Sequence, residues 1–414
     1  MQLALRDFHP TNTTTHRHSV DRWFNFIAGF SPEFVQACLN ECTSTNRLVL
    51  DPFTGCGTVQ VQANKLGWRS VGFEPHPIFY RIAEAKSKAD VLADALPRIR
   101  LEIENGLGRP VCISGLKDKP REYLIKLFQH DTLSQLLGAK ARLEESELAK
   151  NDLAFLVLTK VLDLCSKSQT DGIYKAPTSK KRAHDPFDAT EFVISNISDD
   201  ISDYRSQQSE LHNQSSQKMD AISDRTVSCI ITSPPYLNNF DFAEMTRMQI
   251  YFWDIADSWG DITEKVRRGL IVNTTTALRG HKDIQADYRS SLPPHVLKEL
   301  DSVVHELQDE RASRAGKKEY DFLVYPYFSQ MQDVLREAYR VLEAKGHFHI
   351  MVADAALYGV HISTPQILTE IMQEIGFTNV HCEFVRPRGH RWILDKRDGS
   401  KKGLGEYHIF AEGA

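Results

Sequence analysis

The segment RLVLDPFTGCGTVQVQANKLGWRSVGFE, residues 47–74, narrows the fold more than any other part of the chain. RLVLDPF (47–53) reads as a strand ending in a loop, and VQVQANKLG (59–67) as a helix closed by Gly67. RSVGFE (69–74) is a second strand. Strand, glycine turn, helix and strand make the βαβ unit of a parallel sheet. Gly55 and Gly57 let the backbone turn tightly and approach a ligand closely. Free N–H groups at the helix start suit polar or anionic ligand atoms. Glu74 ends the second strand, near where an acidic residue would meet a ribose hydroxyl pair. A carboxylate suits that task because it accepts two hydrogen bonds at once. The competing interpretation is a plain tight turn beside an unrelated surface glutamate. The flanking strand and helix, with the acid at the second strand end, favour the ligand site. Position 60 is Gln, so the Gly-x-Gly-x-x-Gly fingerprint is incomplete. No Gly-Lys-Ser/Thr follows, which argues against a phosphate-loop nucleotidase.

The rest of the chain alternates in the same way. YFSQMQDVLREAYRVLEAKG is an amphipathic helix with Phe328, Met331, Leu335, Ala338 and Leu342 on one side. HFHIMVAD reads as a strand, and STPQILTEIMQEIGF as a helix with a Ser-Thr-Pro start and a Gly end. NVHCEFVRPRGHRWIL and GEYHIFAEG are expected to pair as a terminal hairpin. The expectation is an α/β fold with a mostly parallel twisted sheet, a C-terminal antiparallel hairpin and helical insertions. We divide it into a cofactor-side half of the core (1–104), a helical insertion (105–190) and a return to the core (191–239). A second insertion (240–320) and the C-terminal half of the core (321–414) follow. Both insertions are candidates for target recognition. Residues 195–225, rich in Ser, Asp, Gln and Asn, are expected to form a mobile connection.

With 414 residues, the chain has room for such insertions, and 41% hydrophobic with 25% charged residues is ordinary for a globular protein. No apolar run approaches a membrane span, and the start MQLALRDFHP lacks the apolar core of a signal peptide. We expect a cytoplasmic protein. The seven cysteines are scattered, forming neither a disulfide framework nor metal-ligand spacing. His9, His16 and His18 lack such partners and are expected at the surface or as caps, so no metal site is expected. A net charge of −5 argues against a globally basic coat but leaves room for a local basic groove.

A second motif, TSPPY (232–236), follows the apolar run VSCII, which reads as a buried strand. Two adjacent prolines cannot sit inside a helix or a central strand, so a rigid turn stands where a core strand ends. In open α/β sheets that edge binds ligands. Ser233 offers a hydroxyl acceptor, Pro234 and Pro235 fix the backbone so that carbonyls face the site, and Tyr236 offers a flat face. Together they suit a planar ring bearing an exocyclic amine. The alternative is a rigid loop with a core tyrosine.

DPFTGCGT and TSPPY together resemble the S-adenosylmethionine-dependent amino-methyltransferases of DNA, which act on cytosine N4 or adenine N6. The resemblance covers about residues 16–90 and 226–412 and implies a Rossmann-like methyltransferase fold. It implies cofactor contacts from Asp51, Pro52, Phe53, Gly55, Cys56, Gly57 and Thr58, with Glu74 on the ribose. FIAGFSPEFVQACL resembles the segment preceding the glycine turn and adds Phe30, Ser31 and Pro32. Ser233, Pro234, Pro235 and Tyr236 would be catalytic. Ser-Pro-Pro-Tyr is typical of the cytosine-N4 enzymes, while adenine enzymes more often carry Asp or Asn first. The family's acidic contact to the cofactor adenine has no counterpart in LHNQSSQKM (211–219), which supplies Asn213 and Ser215.

The same resemblance implies double-stranded DNA as partner, allows for a cognate restriction endonuclease, and requires the base to leave the duplex. Cys56 is expected to pack as a small hydrophobe and not to act as a nucleophile. The candidates for phosphate contacts are Lys180, Lys181 and Arg182 in SKKR, Arg247 after the proline turn, and Arg386, Arg388 and Arg391 in RPRGHR. Tyr251, Phe252 and Trp253 are expected in a helix core. The runner-up activities are adenine-N6 DNA methylation, then methylation of an RNA base, then a non-catalytic nucleic-acid binder.

Overall fold

The computed structural model describes residues 12–24, 29–168, 181–238, 240–313, 318–388 and 404–414. The βαβ unit lies where the glycine pattern puts it. After α1 (Pro32–Glu41) come β1 (Leu48–Asp51), α2 (Thr58–Lys65), β2 (Arg69–Phe73) and α3 (Pro77–Ser87). Gly67 takes φ 71° after α2, a conformation that stops a helix without side-chain clash. A run of helices follows: α4 (Ala89–Leu92), α5 (Leu96–Leu107), α6 (Asp118–Leu127), α7 (His130–Glu144), α8 (Asp152–Cys165) and α9 (Pro186–Ile201). The chain re-enters the sheet through β3 (Ser209–His212) and β4 (Val227–Thr232). Next are α10 (Phe242–Met245), α11 (Arg247–Phe252), α12 (Trp259–Lys265), α13 (Gln285–Ser291), α14 (Pro294–Ser313) and α15 (Val324–Val341). The chain closes with β5 (Leu342–Ala353), β6 (Ala355–Leu357), β7 (Val360–Ile362), α16 (Thr364–Ile375), β8 (Thr378–Pro387) and β9 (Gly405–Glu412).

One seven-stranded sheet runs in the order β3-β2-β1-β4-β5-β9-β8. The first five strands are parallel, and β9 and β8 run antiparallel as the C-terminal hairpin. The fold is Rossmann-like α/β. Chain order reverses between β1 and β4: β2 and β3 extend to one side, β4 and β5 to the other. Such a reversal opens a crevice at the carboxyl ends of the two central strands.

Side-chain alternation sends Val49, Cys229, Ile231 and Met351 to one face, where Phe34, Cys38, Val59 and Ala63 of α1 and α2 cover them. Leu50, Ile230, Phe348, Ile350 and Val352 face the other way, under α15 and α16. Each of these fully buried side chains contributes roughly 1.5–3 kcal/mol of hydrophobic stabilisation. A further core joins α3 to α5–α9 and α11. There Arg81 pairs with Asp152 at 2.6 Å and lies over the Phe155 ring. Tyr251 and Phe252 are buried in it, and the Trp253 indole donates to Thr159.

Residues 195–225 are not connection throughout: they hold the end of α9 and the strand β3, with irregular chain between and after them. Val193, Ile194 and Ile197 recur at helical spacing and carry α9 on to Ile201, started by Asp185 capping the Phe187 N–H. Beyond it, β3 is an edge strand, so polar side chains suffice, and Ser209 pairs with Ser70 of β2. In sequence, polarity at a sheet edge looks the same as polarity in a loop. The aromatic stretch after the proline turn forms two short helices, broken at Thr246.

Candidate active site

The site grows from the end of β1. Asp51 is buried there, and its Oδ1 accepts the Phe53 N–H at 3.0 Å, folding the chain back at Pro52. Thr54 donates its N–H to the Phe73 carbonyl, which fastens the turn to β2. Gly55 (φ 54°) and Gly57 (φ 84°) both lie in the left-handed region. A Cβ on Gly57 would come within 3.2 Å of Ala83, so α2 and α3 pack too closely there for a side chain. Cys56 is buried in the helical core and burial pushes its thiol pKa up, so it stays a neutral packing group. Thr58, half-buried, begins α2.

Glu74, at the end of β2, takes up the turn. Its Oε2 accepts the Gly55 N–H at 2.8 Å, and its Oε1 accepts the His76 N–H at 2.8 Å. Asn213, just past β3, donates to the Glu74 carbonyl at 2.8 Å, and Ser215 lies in the same turn. Phe30 is buried and edge-on to Phe34, while Ser31 caps α1 at the Phe34 N–H, with Pro32 as the first helical residue. These three residues stand at the start of the helix covering β1 and β4.

The proline turn leaves β4, the strand beside β1. Thr232 Oγ1 donates to Asp51 Oδ1 at 2.7 Å, so the last residue of β4 is tied to the base of the glycine turn. Ser233 and Pro235 are half-buried and Pro234 is buried. Tyr236 is half-buried with its hydroxyl end near Ser233, Glu406, Arg386 and Arg388, and burial first of all raises its phenol pKa. The Arg388 guanidinium lies 5.5 Å from the centre of the Tyr236 ring. The turn is braced from behind by the buried Asn273, whose amide donates to the Tyr236 and Phe240 carbonyls. Asp241 accepts from the buried Arg267 at 3.0–3.2 Å, and Arg267 lies over Trp259.

Asp51 and Glu74 share one electrostatic property. Burial lifts the Asp51 carboxyl to about 7 and Glu74 to about 8. Neither carboxyl forms an ion pair among the described residues. Two buried carboxyls without a basic partner are costly as anions. A ligand carrying positive charge would offset that cost, and S-adenosylmethionine carries a sulfonium and an ammonium. The donor set therefore fits the cofactor that the motifs imply.

The basic candidates are spread out. Arg247 stacks on Tyr123 at 4.2 Å and Trp259 at 5.0 Å and meets Glu244. Lys181 donates to the Asp163 carbonyl, and Arg182 is exposed beside it. Arg386 pairs with Glu406 at 2.6 Å. Lys180 and Arg391 lie outside the described residues, as does His9. His18 meets Glu33 at 2.8 Å.

Sequence reasoning missed Thr232, His76, Asn273 and the Asp241–Arg267 pair. Thr232 stood within the quoted motif, but its partner lies 181 positions away. Asn273 carried no local signal at all.

A family model described as DNA methylase, covering the N6 and N4 enzymes, matches residues 5–85. The chain is similar to the Type II methyltransferase M.AvaI of Nostoc sp., 26% identical over 89% of this chain and 81% of the relative. It is also similar to the Type II methyltransferase M.BsoBI of Geobacillus stearothermophilus, 22% identical over 94% of this chain and 83% of the relative. With both loops at one switch point and likeness along nearly the whole length, the chain is similar to the N4/N6 DNA methyltransferases.

Proposed function

We propose that the chain methylates the exocyclic N4 of cytosine in double-stranded DNA, on a base turned out of the duplex. The observation that carries this is the Thr232–Asp51 hydrogen bond, which fixes the proline turn against the glycine turn. S-adenosylmethionine, when bound, supplies a methyl group on a sulfonium, open to in-line displacement. Asp51, Pro52, Phe53, Gly55, Cys56, Gly57 and Thr58 line its site, with Phe30, Ser31 and Pro32 alongside and Glu74 toward the ribose.

An aromatic amine is a weak nucleophile because its lone pair spreads into the ring. The Ser233 oxygen and the Pro234 carbonyl accept its two N–H bonds and direct the lone pair toward the glycine turn. Tyr236 gives the extruded base a stacking surface in place of its neighbours in the duplex. Placement alone accounts for this role, so no covalent enzyme intermediate is required. Arg388, beside the Tyr236 ring, is the basic residue best placed to meet the DNA backbone near that base. Ser-Pro-Pro-Tyr favours cytosine over adenine as the target. The Type II relatives suggest a cognate restriction endonuclease as genetic partner.

Digesting DNA from expressing cells to nucleosides for mass spectrometry should yield N4-methylcytosine. N6-methyladenine would correct the base, and unmodified DNA would overturn the function. Ser233→Ala should bind cofactor with nearly unchanged affinity by titration calorimetry and lose turnover on the order of 100-fold. Full turnover would remove Ser233 from the reaction.

A further inference from the structure

His76 is completely buried, two residues beyond Glu74. Its backbone N–H is held by Glu74 Oε1 at 2.8 Å, while the other Glu74 oxygen holds the Gly55 N–H. On the ring, Nδ1 accepts the Ile78 N–H at 3.3 Å. That nitrogen therefore carries no proton, and Nε2 does. Nε2 stands 2.8 Å from Thr246 Oγ1, to which it donates, and the Thr246 hydroxyl in turn donates to the Phe242 carbonyl at 2.8 Å. The Phe79 ring covers the imidazole at 4.4 Å and meets Phe242 edge-on at 6.1 Å. Burial holds the imidazole neutral, its pKa pushed down to about 3, with Asp241 opposing. Both ring nitrogens are used, and the proton has one arrangement that satisfies every partner.

A continuous chain of hydrogen bonds thus runs from the Gly55 N–H through Glu74 and His76 to Thr246 and Phe242. One end is the glycine turn. The other is the segment just after the proline turn, where Asp241 is held by Arg267. We infer that His76 is a positioning residue, coupling the cofactor turn to the target-base segment through the Thr246 hydroxyl. The inference rests on Glu74 being the ribose acid. His76 touches no reacting group and acts only by holding Glu74 and α10 in register. Removing the Thr246 hydroxyl, on the target side, should therefore alter affinity at the cofactor side.

The test is S-adenosylmethionine binding by titration calorimetry, without DNA, on the full chain. Thr246→Val keeps the shape, removes the hydroxyl and leaves the His76 Nε2–H without its acceptor. It should weaken cofactor binding about five- to tenfold. Thr246→Ser restores the hydroxyl and should bind within about twofold of the unmodified protein. Thermal unfolding of both variants checks that the fold is retained. Unchanged affinity in Thr246→Val overturns the coupling, and so does a Thr246→Ser variant as weak as Thr246→Val, since shape and not the hydroxyl would then matter. If the unmodified chain itself fails to bind S-adenosylmethionine, the cofactor assignment falls and takes the coupling with it.

Discussion

At the scale of single residues, the candidate site holds two carboxyls that the fold keeps dry. Asp51 spends one oxygen on Phe53 and Thr232, and Glu74 spends both on backbone N–H groups. These bonds favour the anions, yet burial outweighs them and lifts the two groups to about 7 and about 8. Ordinary values are about 3.9 and 4.3. The ligand-free fold therefore binds more protons than the unfolded chain between those limits. The stability these neutral acids contribute is fully present below about pH 4 and is lost as pH rises through 7 and 8. A cationic ligand favours the ionised forms, so its binding releases protons. S-adenosylmethionine affinity should accordingly tighten between about pH 6 and about pH 8, by up to about tenfold per unit for each carboxyl that ionises. Calorimetry in buffers of different ionisation enthalpy measures the protons released. A flat affinity with no buffer dependence would contradict the carboxyl assignment.

At the scale of elements, the sequence was most informative where glycine and proline dictate backbone shape. Gly55, Gly57 and Gly67 marked the turn and the end of α2, and the Pro-Pro pair marked the end of β4. Helices with a strong apolar stripe, α15 and α16, were legible from spacing, but α15 ends at Val341, and Leu342, expected on its stripe, begins β5. What escaped depends on partners distant along the chain. The edge strand β3 carries a weak apolar signature, Leu211 alone, because one side of it has no neighbouring strand among the described residues. The break at Thr246 has a tertiary cause, since its hydroxyl serves His76. The Asp241–Arg267 pair, which anchors the segment after the proline turn, joins residues 26 apart. Arg267 is 2% exposed there, so its charge depends on Asp241. Asp241→Asn keeps the shape but strips the buried guanidinium of its counter-ion, and should cost about 3 kcal/mol of stability. Urea unfolding checks this, and an unchanged midpoint would show that the pair holds nothing in place.

At the scale of the whole molecule, the strand order is what brings the two loops of the candidate site together. Residues 51–58 and 233–236 are far apart along the chain, and β1 and β4 are immediate neighbours at the reversal of the sheet. The pairing of Val49 with Cys229 and Leu50 with Ile230 sets the two strand ends level. The Asp51–Thr232 bond then locks them. The family resemblance implied this meeting, while its register and its lock belong to tertiary structure. The helical cluster of α5–α9 joins through α3, and the motifs alone gave no account of how it attaches. The most direct measurement is a crystal structure of the full chain with S-adenosylhomocysteine. The ribose should face Glu74, and the sulfur should point across the cleft toward Ser233 and Pro234. A ligand bound away from the glycine turn, or one whose sulfur is walled off from the proline turn, would contradict the shared cleft on which the proposed chemistry depends.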